Sequence, residues 1–391
     1  MCALASKNSY MIPYKKNTYD QEMIDAVVNY MKEGSKLQYY HRYDECVSFE
    51  KEFADFCGHK FAISTTSGTA SLHIALLACG IERGDEVMLT PHVTYAVGNS
   101  VLCVGAKPVF VDIEEETLTI DPSKIEDKIT SKTKAMIPVH TYGHPAAMDP
   151  ITEIAEKYDL FVIEDVTHAV GSRYKGKKLP VGGEKNIGIF SFNSKQLWLP
   201  CGGGMVVTDN EEFAKKARLY SGWRYGGPHS GLVIGYNYMM ADLAAIVGKA
   251  QLRYLKEYVD MQRSNAKILN ELLEDTPVIT PVEKEWAYHA YARYAIRAPK
   301  RDELMEFLGQ QGIHCEVLYG TPTHLLKLYS EPFGYREEDF PVTEKEKKEE
   351  LSLPEPRFRS RWEIEHIAKK IVEFYASPHK EAKGNFPPSR A

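Results

Sequence analysis

Residues 190–210 read FSFNSKQLWLPCGGGMVVTDN. Ser191 closes an apolar run, Lys195 and Gln196 follow side by side, and three glycines, Gly202 to Gly204, precede a second apolar run. A hydroxyl and an amine near one strand end suit a phosphorylated aldehyde: the hydroxyl holds phosphate and the amine condenses with the carbonyl. The glycine cluster implies close backbone approach or unusual torsions. Upstream, STTSGTASLHIAL runs from a strand into Ser67-Gly68-Thr69 at a helix start. The free N–H groups and the positive dipole end there make an anion site; a plain Ser/Thr N-cap explains the same residues. The Walker spacing of glycine and lysine is missing.

Three further residues complete the set. Asp165 ends the apolar run LFVIEDV, where ligands of open α/β sheets sit, and it can either pair with a cationic ring nitrogen or cap the next helix. His168, three residues on, is either a hydrogen-bond donor to a ligand or a packed histidine. Tyr95, in PHVTYAVGNS, is either a ring that stacks on a flat cofactor or a core aromatic.

The elements that must position these residues follow from the pattern. Short apolar runs at 61–65, 86–90, 108–113, 135–140, 160–166, 187–192 and 204–209 are continuous rather than alternating, as strands buried on both faces are. Helical patterns at 68–80 and 149–159 lie between them, so the fold class is α/β with a mostly parallel sheet. After about residue 235 the texture changes: 239–275 reads as one long helix, 288–298 as strand, and 299–313 and 361–376 as helices. The expected organisation is a large domain over 1–250, a small α+β domain over 251–376 and a polar, Pro-rich, disordered tail over 377–391.

A net charge of −6 and a pI near 6.1 leave no electrostatic footprint for nucleic acid. No run reaches the ~18 apolar residues of a membrane span. The first residues lack a signal-peptide pattern, and the seven scattered cysteines form no CxxC, so a reducing, cytoplasmic setting with free thiols is expected. No metal site is expected.

Taken in order, FEKEFADFCGHKFAISTTSGTASLHIAL, GDEVMLTPHVTYA, GAKPVFVDIE, TKAMIPVHTYG, EDVTHAVGS, GIFSFN, GGGMVVTD, GYNYMMADLAA and SLPEP resemble the sugar aminotransferases of the DegT/DnrJ/StrS type over nearly the whole chain. The resemblance implies the type I aminotransferase fold, with a seven-stranded sheet, and pyridoxal 5′-phosphate (PLP) as cofactor, cycling through pyridoxamine 5′-phosphate (PMP). It implies that Ser67, Gly68, Thr69 and Ser191, with Asn193 nearby, hold the phosphate. It also implies that Tyr95 stacks on the ring, Asp165 pairs with the ring nitrogen, and His168 lies near the ring hydroxyl. Asn237, in GYNY, would reach the phosphate of a neighbouring subunit, which makes the chain a homodimer with shared sites. The implied partners are small molecules: a keto sugar, usually nucleotide-linked, and glutamate or glutamine as amino donor.

The family lysine follows the serine of S-F-x-x-x-K by five residues. Counted from Ser191, and again back from Met205, that position is Gln196, one beyond Lys195. Three explanations stay open: a local rearrangement makes Lys195 the reactive amine, the protein runs without the lysine, or Gln196 replaces a natural lysine and traps substrate. Cys201, Met239 and GGEKNIG also depart from the family pattern near the substrate pocket. LQYYHRYDE, WRYGGPHSG (223–231) and HTYGH (140–144) are candidate pocket segments, or ordinary packing. Besides amino transfer to a nucleotide-linked keto sugar, the alternatives are transfer to a free sugar or cyclitol ketone, a lysine-less sugar dehydratase using His168 as base, and a non-catalytic family member.

Overall fold

The computed structural model describes residues 11–14, 20–32, 44–192, 202–222 and 232–376. In chain order the helices are α1 (Gln21–Lys32), α2 (Asp44–Cys57), α3 (Gly68–Ala78), α4 (Tyr95–Cys103), α5 (Met148–Lys157), α6 (Glu211–Ser221), α7 (Asp242–Arg253), α8 (Leu255–Leu273), α9 (Arg301–Gln310), α10 (Lys327–Phe333), α11 (Pro341–Glu349) and α12 (Arg361–Ala376). The strands are β1 (Phe61–Thr65), β2 (Glu86–Leu89), β3 (Lys107–Phe110), β4 (Thr133–Ile137), β5 (Phe161–Asp165), β6 (Arg173–Tyr174), β7 (Lys177–Lys178), β8 (Asn186–Ser191), β9 (Gly204–Thr208), β10 (Ala287–Tyr288), β11 (Ala295–Arg297) and β12 (Glu350–Ser352).

Seven strands form one sheet in the order β1-β9-β8-β5-β4-β2-β3. The pairs β2–β3, β2–β4, β4–β5 and β5–β8 are parallel, whereas β9 runs antiparallel to both β1 and β8. The mostly parallel sheet is therefore as the apolar runs foretold. Its strands are buried on both faces, which is why those runs are continuous rather than alternating. One core cluster fills one side of the sheet, with Phe49, Phe53, Phe190 and Phe192 in mutual edge contact. A second, around Leu72, Ile74, Val87 and Phe110, fills the other. Helix α3 buries nine of its eleven residues, so it is apolar all round and has no solvent face to betray a helical stripe. A third cluster joins Ile12, Leu269, Tyr294, Leu304, Leu351 and Ile371 around α8, α9 and α12.

Three expected elements need correction. The single helix expected over 239–275 is two, because Tyr254 (φ −92°, ψ −2°) closes α7 with a tight bond to the Gln251 carbonyl before α8 begins. Helix α7 packs on α1 and α2, and α8 on α12, so the break re-aims the chain between two layers. The strand expected over 288–298 keeps only β11, with Tyr288 ending β10. Between them Tyr291 adopts a left-handed backbone (φ +48°), and Arg263 takes the His289 carbonyl as a hydrogen-bond acceptor. The run at 135–140 ends as strand at Ile137, since Pro138 has no N–H for the ladder. No described helix is long and apolar enough to cross a membrane.

Candidate functional site

The carboxyl ends of β5 and β8 and the start of α3 open onto one cavity of about 590 Å³. Ser67, Gly68, Thr69, Tyr95, Asp165, His168 and Ser191 all line it. Seven residues spread over 125 positions of sequence thus meet at the point where ligands of such sheets bind. Asn237 does not line it, and Asn193, Lys195 and Gln196 lie outside the described residues, as do WRYGGPHSG and most of LQYYHRYDE.

The phosphate end is built by close packing. Ser67 is the N-cap of α3, its Oγ accepting from the Ala70 N–H at 3.1 Å, so the capping reading holds for this side chain. A Cβ at Gly68 would lie 2.9 Å from Ser191 Oγ and 3.2 Å from Ser191 Cα, so only glycine lets the helix start rest on the end of β8. Gly204 meets the Ser67 carbonyl the same way, at 2.6 Å, which seats β9 under the loop. Thr69 is exposed to the cavity, and neither its hydroxyl nor that of Ser191 has a partner among the described residues. The helix start therefore presents open N–H groups and two unused hydroxyls to one small volume, which fits a phosphate.

Gly68→Ala is expected to unfold about 1–3 kcal/mol more easily, as overpacked sites do. It should also bind PLP, the ligand expected here, roughly tenfold or more weakly. Urea unfolding and a PLP titration check both, and Gly68→Ala/Ser191→Gly should recover the stability but not the binding.

Asp165 supplies the opposite end. It is buried, and its Oδ1 accepts from the Thr167 N–H at 3.0 Å. The Thr167 side chain also bonds the carboxyl. Burial pushes its carboxyl above the usual range, with the Thr167 hydrogen bonds and His140 pulling the other way. Such a group gains from a cation placed against it. Its strand is held in register by His140. The His140 Nδ1 accepts from the Ala146 N–H (2.9 Å), so Nε2 carries the proton and donates it to Glu164 (3.0 Å).

Tyr95 begins α4 and is 63% exposed, so it is not a core aromatic. Its carbonyl accepts from Tyr329 Oη (3.2 Å), which fixes the turn beneath it. His168 is buried, its Nδ1 has no partner, and its Nε2 lies 3.4 Å from Tyr319 Oη. Burial and the nearby Arg293 hold its pKa down at about 3, so the ring is neutral and keeps one N–H to donate.

Tyr319 also lines the cavity, from the chain's last third. Nothing in CEVLYGTP marked it, since no local pattern links it to residues 150 positions away. HTYGH is wholly buried and lines no part of the cavity, so it packs behind the site.

Burial also keeps His92, His144 and His289 well below the usual histidine range, with His144 at about 4. These rings and His168 stay neutral when folded but take protons near pH 6.5 when unfolded. Their contribution is complete above pH 6.5 and is lost as pH falls toward 4, at up to ~1.4 kcal/mol per pH unit for each proton. The urea midpoint is expected to drop steeply between pH 7 and pH 5; a flat midpoint over that window would contradict the neutral burial of these rings.

The model of the DegT/DnrJ/EryC1/StrS aminotransferase family matches residues 18–372. A pleiotropic regulatory protein of Geobacillus stearothermophilus is 38% identical over 336 residues, covering 85% of this chain and 90% of its own. The GDP-perosamine synthase of Escherichia coli O157:H7 is 35% identical over 334 residues, covering 84% and 89%. Among solved structures, NtdA of Bacillus subtilis with bound cofactor PMP superposes with a TM-score of 0.79 at 28% identity, covering 92% of this chain and 83% of that one.

Proposed function

Because the chain belongs to the DegT/DnrJ/EryC1/StrS aminotransferase family, we propose that its cavity moves an amino group from glutamate or glutamine to the ketone of a nucleotide-linked sugar. The family is one of sugar aminotransferases, and its cofactor is PLP, which alternates with PMP. One observation carries the reading for this chain. A buried carboxylate and a helix start with unused hydroxyls line one cavity, which supports a match to the two charged ends of PLP.

Bound there, PLP supplies an electron sink that accepts charge from a carbon losing its proton. The protein does the rest. The Gly68 and Thr69 amides and the Thr69 and Ser191 hydroxyls anchor the phosphate. Tyr95 covers one ring face, and Asp165 keeps the ring nitrogen protonated. His168 donates its single N–H at the ring hydroxyl. Position 196 is where an amine would take the proton from one carbon and return it to the next. The amide of Gln196 has no basic lone pair for that task, so this chain is proposed to bind and hold its substrates rather than turn over, with lysine as the residue that restores activity. The dehydratase alternative needs His168 as a base, and a ring whose conjugate acid has a pKa near 3 is a poor one at neutral pH.

A homodimer belongs to this proposal. Asn237 is exposed on a left-handed turn (φ +55°), flanked by the exposed Leu232 and Ile234. Ile24, Val28 and Met31 form an exposed apolar stripe along α1. An apolar surface of this kind around a polar tip supports a second copy whose site Asn237 completes. The GDP-perosamine synthase relative supports a nucleotide-linked acceptor.

The test uses the Gln196→Lys chain, PLP, ¹⁵N-labelled glutamate or glutamine, and a panel of GDP-, dTDP- and UDP-linked keto sugars beside free keto sugars. Mass spectrometry should find ¹⁵N in a nucleotide-linked product. Label only in free sugars or cyclitols, or in none, would overturn the assignment.

A further inference from the structure

Behind His168 lies a group of buried residues that the amino-transfer reading leaves without a role. Lys347, on α11, and Glu350, opening β12, are both buried. Lys347 Nζ donates to Glu350 Oε2 (2.6 Å) and to the Leu318 carbonyl (2.8 Å). Tyr142 Oη donates to the other oxygen, Glu350 Oε1 (2.7 Å). Both carboxylate oxygens are thus satisfied, one by a cation and one by a phenol.

The two tyrosines attached to this pair both stack beside His168. The Tyr142 ring lies 6.0 Å from the His168 ring and 29° off parallel, and the Tyr319 ring lies 6.4 Å away and 19° off. Tyr319 directly follows the carbonyl that Lys347 holds, and Lys347 Nζ sits 5.2 Å from the centre of its ring. Both tyrosines carry a left-handed backbone, with φ +55° at Tyr142 and +53° at Tyr319. A side chain in that region is strained and persists only where its surroundings hold it. Here the Lys347–Glu350 pair supplies a bond to each strained segment. A buried ion pair adds little net stability by itself, so fixing a geometry is the more fitting use for it.

We propose that Lys347 and Glu350 are a positioning pair that sets Tyr142 and Tyr319 beside His168 and so fixes the ring's place and tautomer toward the cofactor. They touch neither cofactor nor substrate; they act through His168. This rests on the reading that His168 meets the PLP ring, and it assigns a cost: with the pair gone, His168 samples other orientations and the cofactor loses a fixed donor.

The experiment measures PLP dissociation constants by absorbance titration, with thermal unfolding of each apo chain as a control for folding. Lys347→Met alone would leave Glu350 charged and unpaired, so the variant is Lys347→Met/Glu350→Gln, beside the milder Tyr142→Phe. Each is combined with His168→Phe, which keeps a flat ring and removes its nitrogens. With His168 present, each is expected to weaken PLP roughly tenfold, the scale of coupling within one network. With Phe at 168, neither should change it more than about twofold. Equal weakening in both backgrounds means a general packing role and overturns the proposal. If His168→Phe alone leaves PLP binding unchanged, the placement of His168 at the cofactor fails, and this inference fails with it. Weakening by Lys347→Met/Glu350→Gln without any by Tyr142→Phe would confine the device to the Tyr319 side and overturn the two-sided form stated here.

Discussion

Asp165→Asn, placed in the Gln196→Lys chain, should fold at least as well as its parent and lose on the order of a hundred- to a thousand-fold in kcat, the scale of removing one preorganised electrostatic group. The two effects have opposite signs for one reason. Burial raises the folded carboxyl's pKa above its unfolded value, so keeping Asp165 charged costs stability at neutral pH. Asparagine removes that cost, and its oxygen still accepts from the Thr167 N–H. The gain should therefore be seen at pH 7 and vanish as pH falls below about 4, where the unfolded carboxyl is itself protonated. The same change leaves the ring nitrogen without a counter-charge. A group that destabilises the fold while serving a ligand is what a functional site built on a stable scaffold predicts. Urea unfolding at pH 7 and pH 4, with single-turnover kinetics, checks both halves. A loss of activity accompanied by a loss of stability at pH 7 would mean that Asp165 is structural.

The second large effect is a gain. Gln196→Lys is expected to raise amino transfer by roughly a hundred- to ten-thousand-fold, the contribution of a positioned general acid–base group. Lys195→Ala in that background should change little. Ser191 and Met205 both count to 196, and β8 and β9, which carry them, pair directly with Phe190 opposite Met205 and Ser191 opposite Gly204. The two anchors are therefore locked together, and a slip that favours Lys195 must be absorbed wholly between residues 192 and 202. If Lys195→Ala abolishes activity and Gln196→Lys adds none, the register is shifted and Lys195 is the amine.

The sheet was legible because parallel strands buried on both faces must be apolar throughout, and all seven runs became its strands. Asp165, Ser67 and Gly68 were legible because strand ends and helix starts announce themselves locally. Tyr319 and the Lys347–Glu350 pair were not. Their meaning lies in contacts with Tyr142 and His168, which are far away in sequence, and an i, i+3 lysine–glutamate pair reads as a solvated helix face until its burial is known. The break at Tyr254 was hidden because both α7 and α8 keep a helical stripe and only its target changes.

One measurement separates a retained cofactor from one bound covalently to Lys195 most directly. The chain is mixed with PLP and glutamate, reduced with borohydride, denatured, and both protein and supernatant are examined by mass spectrometry. With unbound ligand removed before reduction, the predicted result is no pyridoxyl label on the protein and a pyridoxyl–glutamate adduct in the supernatant at one equivalent per chain, reduced in Gly68→Ala. A pyridoxyl label on Lys195 would contradict the place given to Gln196, and the absence of any retained PLP would contradict the cradle itself.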